Sequence, residues 1–221
     1  MPRLIAVGDI HGCATALESL IELVRPNSQD TLVALGDFVD RGIDSKRVLE
    51  QLIELETRCR LVPILGNHDE MMLSSAHSRS AFDFWMNCGG QATLDSYGEQ
   101  ARISSIPLSH FEFLKRCLDF YETDGLFFVH ANYQADQQLD QQSPKVRRWL
   151  SLEVHLPEPH MSGRTAVVGH TPQPHHRILD LGHLKCLDTG CGHGGKLTAL
   201  ELQSGERWQV DESGASTTGR T

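Results

Sequence analysis

The chain has 221 residues, a formal net charge of -9 and a pI near 5.7. That length suits one sizeable core and a single domain, placed at residues 1–210, with the small polar run 211–221 as a flexible tail. The acidic balance argues against non-specific binding to nucleic acid or an anionic membrane, and no apolar run is long enough to cross a bilayer. Met1-Pro2-Arg3 leads straight into a strand-like LIAV, so no secretory leader is expected. The six cysteines are scattered without a C-x-x-C pair, so reduced thiols and a cytoplasmic setting are expected.

LIAVGD (4–9) is short, continuous and apolar, and ends at a glycine and an aspartate, as a buried strand would. ATALESLIELV (14–24) places Leu17, Leu20, Ile21 and Val24 on one helical face. TLVALGD (31–37) predicts a second strand. Asp44 or Ser45 can cap the helix KRVLEQLIELE, whose Val48, Leu52 and Leu55 share a face. LVPILG (61–66) is a third strand. Strand, helix, strand, helix, strand predicts a parallel sheet with right-handed crossovers. The middle turns helical and irregular: EMMLSSA, SAFDFWMN, a turn and short helix in GGQATLDSYG, and the amphipathic FEFLKRCL. DFYETDGLFFVHA reads as a hairpin turning at Thr123-Asp124-Gly125. A Gln-rich polar loop follows at 134–144. TAVVGH, HRILD, HLKCLD, KLTALEL and ERWQV then predict a second, antiparallel or mixed sheet. The fold class expected is α/β: two mixed sheets face to face, with helices outside.

The chemistry gathers where strands end. The first three give GDIHG (8–12), GDFVDRG (36–42) and GNHD (66–69). Asp37 lies 28 residues after Asp9, and Asn67 lies 30 after Asp37, the length of a βαβ unit. In open α/β sheets, ligands bind beyond the carboxyl ends of strands. LFFVHA and TAVVGHT place His130 and His170 in the same way. A lone His at a strand end is more often a satisfied core side chain; the joint placement at five strand ends carries the argument. Asp, His and Asn supply hard oxygen and borderline nitrogen donors without thiolate, a set suited to Mn, Fe or Zn. Six donors are too many for one open site and suit two. Asp37, in the central signature, is the natural bridge. Two metals about 3.5–4 Å apart can share a hydroxide and clamp a phosphoryl group.

GDIHG, GDFVDRG, GNHD, VHA and GHTP together resemble the metallophosphoesterase superfamily. More narrowly, they resemble its phosphoprotein phosphatase branch, in particular the small phage-lambda-type and bacterial serine/threonine phosphatases. The similarity spans about residues 4–202 and includes Met71-Met72, NCGG (87–90) and DTG (188–190). The resemblance implies an αββα sandwich of metallophosphoesterase type. It makes Asp9 and His11 ligands of a first metal, Asp37 the bridge, and Asn67, His130 and His170 ligands of a second. It makes His68 the general acid, Asp40 its orienting partner and Arg41 a grip on phosphoryl oxygens. A further phosphate-binding arginine is expected before the last histidine, and Arg147 or Arg148 in PKVRRWL is favoured over Arg164.

Two expectations about substrate compete. Asp40 favours the protein phosphatase branch, since hydrolases of symmetrical diadenosine tetraphosphate usually carry Ala there. Asp69 pulls toward those hydrolases, because protein phosphatases usually carry Glu in its place. A non-catalytic phosphoprotein-binding module is the third reading, and the complete donor set argues against it. His77, His110, His155, His160 and His183 read as solvated or locally bonded. His175 and His176 read as surface loop, Cys13 as helix packing, and Met71, Met72, Phe82, Trp85 and Met86 as core. His193, in GCGHGG, is placed either at the cleft or on a loop.

Overall fold

A computed structural model describes residues 2–216. Two five-stranded sheets pack face to face. In the first, β1 (Leu4–Val7), β2 (Thr31–Ala34) and β3 (Arg60–Pro63) run parallel, joined by helices α1 (Ala14–Val24) and α2 (Ser45–Leu55). Val7 pairs with Ala34 and Ala34 with Pro63, so the three strands end level. That register sets Asp9, Asp37 and Asn67 along one rim. Asp44 caps α2 by accepting the Arg47 N–H at 3.0 Å.

The middle of the chain forms α3 (Asn67–Ser75), α4 (Arg79–Trp85), α5 (Gln91–Ser96) and α6 (Leu108–Lys115). The hairpin β4 (Phe120–Glu122) and β5 (Leu126–Val129) follows, then α7 (Pro144–Trp149) and β6 (Thr165–Val168). The last strands are β7 (Leu179–Asp180), β8 (Leu184–Cys186), β9 (Lys196–Glu201) and β10 (Arg207–Asp211). The second sheet runs β4-β5-β6-β8-β7, with β5, β6 and β8 parallel and the two edges antiparallel.

Alternation along the strands sorts side chains between layers. Ala6, Val33 and Val62 face Phe128, Val167 and Leu187 across the inter-sheet core. Ile5, Val7 and Leu32 point the other way, onto Leu17, Leu20, Val48 and Leu52 of the helices.

Two expectations change. KLTALEL and ERWQV do not join the second sheet. As β9 and β10 they pair onto the free edge of β1, in the order β10-β9-β1-β2-β3, which removes an exposed edge beside the parallel core. HRILD yields only the two-residue β7, because Pro174–His176 forms a short 3-10 turn ahead of it. Helices cover the first sheet, and Tyr133, Leu139 and Leu152, from the chain after β5, pack on the outer face of the second. Of residues 211–221, expected as a tail, 211–216 are described. The Asp211 carboxylate accepts the Ser213 and Ala215 N–H groups, and Ser216 pairs with Val210. Residues 217–221 lie outside the described residues. Among the described residues, no helix is long and apolar enough to cross a membrane.

Far from the rim, Asp30 ties the start of β2 to the amino terminus. Its carboxylate accepts from Arg3 N (3.0 Å), Arg3 Nε (3.2 Å), Arg3 Nη2 (2.6 Å), Asn27 N (3.0 Å) and Asn27 Nδ2 (2.9 Å). Burial alone would raise its pKa, but these donors hold it below the ordinary 3.8. The sign follows: Asp30 contributes stability that is complete above 3.8 and is lost as pH falls through its depressed folded value. Asp30→Asn is expected to cost about 2–4 kcal/mol in urea unfolding at neutral pH and to flatten the acid limb of the stability curve.

Candidate active site

The level strand ends place their donors in strained backbone. His11, Asp37, Asp40, Arg41 and His170 have φ of 46°, 50°, 71°, 69° and 65°, a left-handed region that non-glycine residues seldom occupy. Glycines make the approach possible. Gly36 has φ of 103°, and a Cβ there would stand 2.8 Å from His130 Nδ1. A Cβ on Gly66 would stand 2.2 Å from Asp37 N, so the second and third signatures touch only because that position has no side chain.

Two groups of donors form within this rim. His11, Asp37 and His68 bring ligand atoms within 4.8 Å of one another, and so do Asp37, His130 and His170. Asp37 belongs to both. The rings are pre-aimed: His11 Nδ1 donates to the Val39 carbonyl at 3.1 Å and His130 Nδ1 to the Leu35 carbonyl at 2.7 Å. Each Nε2 is thereby turned toward Asp37, at 3.6 Å and 3.4 Å. Asn67 Oδ1 stands 3.0 Å from both His130 Nε2 and His170 Nδ1. Asp9 is buried under the His170 turn, where its oxygens accept the His170 N–H at 3.0 Å and 3.2 Å. The structure thus brings together all six residues expected to hold metal.

Electrostatics agree with a cation site. Burial lowers His11 to about 3 and His170 to about 4, keeping both as neutral imidazoles able to donate a lone pair. Burial would also lower His130, but Asp37 overrides it and raises the ring to about 10. Burial would raise Asp37, but His130, His68 and His11 hold its carboxyl well below the usual range. Burial and the nearby Asp188 raise Asp9. A place that holds a proton this firmly beside two further carboxylates is one where a divalent ion relieves charge, releasing that proton. The donors fit a pair of divalent ions.

Next to the donors stands a buried His–Asp pair. His68 Nδ1 bonds Asp40 Oδ2 at 2.7 Å. Asp40 is fully buried and saturated: the Trp85 indole donates to it at 2.9 Å, the Thr93 hydroxyl at 2.7 Å. Burial disfavours the charged ring, but Asp37 and the Asp40 bond raise the His68 pKa above its ordinary 6.5. Arg41 spans the opening, 3.1 Å from His11 Nε2 and 3.0 Å from His68 Nε2, and its guanidinium also meets His193. His193 therefore lines the cleft.

Arg147 and Arg148 are not part of this cluster. Arg147 bonds Asp119 at 2.8 Å and the Leu139 carbonyl, and Arg148 pairs with Glu70 and Asp119. Their charges are committed to carboxylates, and no further arginine joins Arg41 among the described residues that touch the donors. Asp69 also faces away from the opening: its oxygens accept Phe38 N at 2.9 Å and Gly66 N at 3.0 Å, clamping the second signature to the third. Sequence reasoning missed Asp188, buried beside Asp9 and raised to about 6 by burial. It read Trp85 as core only, and passed over Thr93. DTG and the stretch after NCGG were the available signals.

Comparison with known proteins follows the same line. The calcineurin-like phosphoesterase family profile matches residues 2–208. Serine/threonine-protein phosphatase 1 of Salmonella typhimurium is 29% identical over 203 residues, covering 89% of this chain and 90% of that protein. A symmetrical bis(5'-nucleosyl)-tetraphosphatase of Acidovorax sp. is 45% identical over 75 residues, which is 34% of this chain and 26% of that one. A solved structure provisionally assigned as a diadenosine tetraphosphatase superposes with a TM-score of 0.72 at 24% identity, covering 96% of each chain. The cold-active protein-tyrosine phosphatase of a psychrophilic Shewanella shares the fold at a TM-score of 0.62 and 18% identity, over 99% of this chain and 80% of that one. With two mixed sheets, level strand ends and a profile match along nearly its whole length, the chain belongs to the calcineurin-like phosphoesterase family of metal-dependent hydrolases.

Proposed function

We propose that the protein is a dinuclear phosphatase of phosphomonoesters, with phosphoserine and phosphothreonine of proteins as its substrate class. The observation that carries this reading is the Asp40–His68 pair, 2.7 Å long, buried, and held by Trp85 and Thr93. A serine or threonine alkoxide is a poor leaving group and needs a proton as the P–O bond breaks. A histidine raised above its ordinary pKa beside the donor groups supplies one. A nucleoside diphosphate leaves as a stable anion and has much less use for such a group.

In this reading Asp9, His11 and Asp37 hold one ion, and Asp37, Asn67, His130 and His170 the other. When bound there, two divalent ions, manganese before iron or zinc, would supply Lewis acidity and would lower the pKa of a water held near the phosphoryl group. Arg41 binds two non-bridging phosphoryl oxygens through its fork of N–H donors. For that it turns from His11 and His68 toward substrate, leaving His68 Nε2 free to face the leaving oxygen. Asp40 fixes the tautomer, so the proton given up lies on Nε2. Attack is in line and no covalent bond to the chain forms. The partner is a phosphoprotein or small phosphoester; nucleic acid and membranes have no place in this scheme.

The dinucleoside tetraphosphate reading is favoured by the Acidovorax match and by the 0.72 superposition. Its sequence support was Asp69, and that carboxylate is spent on two backbone N–H groups rather than turned to a substrate. One experiment separates the two. Purified protein with manganese is offered a phosphoserine peptide, p-nitrophenyl phosphate and diadenosine tetraphosphate. The highest kcat/KM is expected on the phosphopeptide. Faster release of two ADP from the dinucleotide would overturn the proposal, and no turnover of any of the three would revive a binding module.

A further inference from the structure

The two arginines that stand away from the donors lead back to them through Glu70. The Trp149 indole donates to Glu70 Oε2 at 2.7 Å, and Arg148 pairs with Oε1 of the same carboxylate. One carboxylate thus grips two consecutive residues at the end of α7. That helix end is linked to both late histidine turns. The link runs first to the turn of His130 and from there to the turn of His170. The Arg147 carbonyl accepts the N–H of Ala131, next to His130, at 2.7 Å, and the His130 carbonyl accepts the Gly169 N–H at 2.7 Å. On its other side, Glu70 shares the first turn of α3 with Asn67. We infer that Glu70 is a positioning residue for the second donor group, fixing through Trp149 and Arg148 the helix end to which the His130 turn, and through it the His170 turn, is bonded.

The need for such a clamp is visible in the donors. His170 is the least buried member of its group and sits in a left-handed turn with φ of 65°. Its turn is tied through His130 and Ala131 to a six-residue helix, α7, which needs an anchor of its own. A ligand imidazole whose outer supports loosen loses orientation, which costs about 10–100-fold in metal affinity. The first group depends on this clamp less: His11 is aimed by Val39, and only Asp9 meets the His170 turn, through its backbone N–H rather than its ring. The Glu70 side chain is 31% exposed, so its pairing with Arg148 is partly screened and its role lies in geometry more than in fold stability.

The inference rests on the reading of Asn67, His130 and His170 as donors to one ion, and the test keeps the two apart. Chelated wild-type, Glu70→Ala, Glu70→Gln and Asp30→Asn proteins are titrated with manganese by calorimetry and melted in parallel. Wild type is expected to bind two equivalents. Glu70→Ala is expected to keep one and to weaken the other by about 10–100-fold. Glu70→Gln keeps an acceptor for the Trp149 indole and should recover part of that loss. Turnover of Glu70→Ala should return at high manganese with KM for substrate unchanged. Asp30→Asn, destabilised far from the site, should bind both ions as wild type does. Two wild-type affinities in Glu70→Ala would overturn the inference, as would a parallel weakening of both that merely tracks its melting temperature. A wild-type protein that takes up no second equivalent would overturn the reading of the donors, and the clamp with it.

Discussion

His68→Asn is expected to lower kcat on a phosphoserine peptide by about 10²–10⁴-fold, the range that a positioned general acid contributes. The same substitution should cost p-nitrophenyl phosphate much less, because p-nitrophenolate departs without a proton. The split between the two substrates is the informative result. A loss that is equal on both would mean that His68 serves as a ligand of the first group rather than as an acid, since it lies within 4.8 Å of His11 and Asp37 as well as on Asp40. Asn is chosen because it retains a side-chain donor toward Asp40, whose burial makes an unpaired carboxylate costly. Asp40→Asn should show the same split in a milder form. Its amide can still take the Trp85 and Thr93 bonds, but it no longer raises the His68 pKa. The pH–rate profile on the phosphopeptide should therefore lose its alkaline limb at a lower pH in Asp40→Asn than in wild type. The sign is fixed by His68 acting in its protonated form, which a lower pKa depletes first on the alkaline side.

Most of the site was legible because its residues sit at strand ends, where an apolar run stops at a glycine and the next residues can serve only chemistry or a turn. Asp9, Asp37, Asn67, His130 and His170 follow that rule, and the parallel register then makes them neighbours without further assumption. Residues that support the site from helix interiors obey no such rule. Trp85 is apolar in body and fully buried, so its packing conceals the N–H that it gives Asp40. Glu70 reads as no more than the first residue of the helical stretch EMMLSSA until its partners on α7 are known. Arg147 and Arg148 illustrate the converse error. Arginine near a phosphate motif invites a phosphate role, but Asp119 and Glu70 lie far off in sequence and near in space. The misplaced β9 and β10 have a similar cause. Strand propensity says nothing about which sheet edge is free, and the free edge of β1 was decided only by where the chain returns.

Asp37→Asn should remove bound metal and turnover together. Elemental analysis is expected to fall from two equivalents to one or none, and kcat/KM by about 10²–10³-fold or more, the loss that follows removal of a principal charge-stabilising group. Asp37 is the single carboxylate shared by the two donor groups, and three histidines face it. An amide there keeps the bond from His68 N, at 2.9 Å, and therefore the link between the second and third signatures. It removes the charge that both ions would share and turns an N–H toward one of them. The fold should survive, because the melting temperature of a cluster with less buried charge need not fall. The chelated proteins offer an independent readout. In wild type, Asp37 raises His130 to about 10 against the effect of burial. That pair contributes stability present below the ordinary histidine value of 6.5 and lost as pH climbs through about 10. Metal-free wild type should therefore lose thermal stability on the alkaline side, and metal-free Asp37→Asn should not. In an NMR titration the His130 ring of the variant should become neutral at a far lower pH. Retention of two metals by Asp37→Asn, or an unchanged His130 titration, would show that the carboxylate is not the shared center of the site.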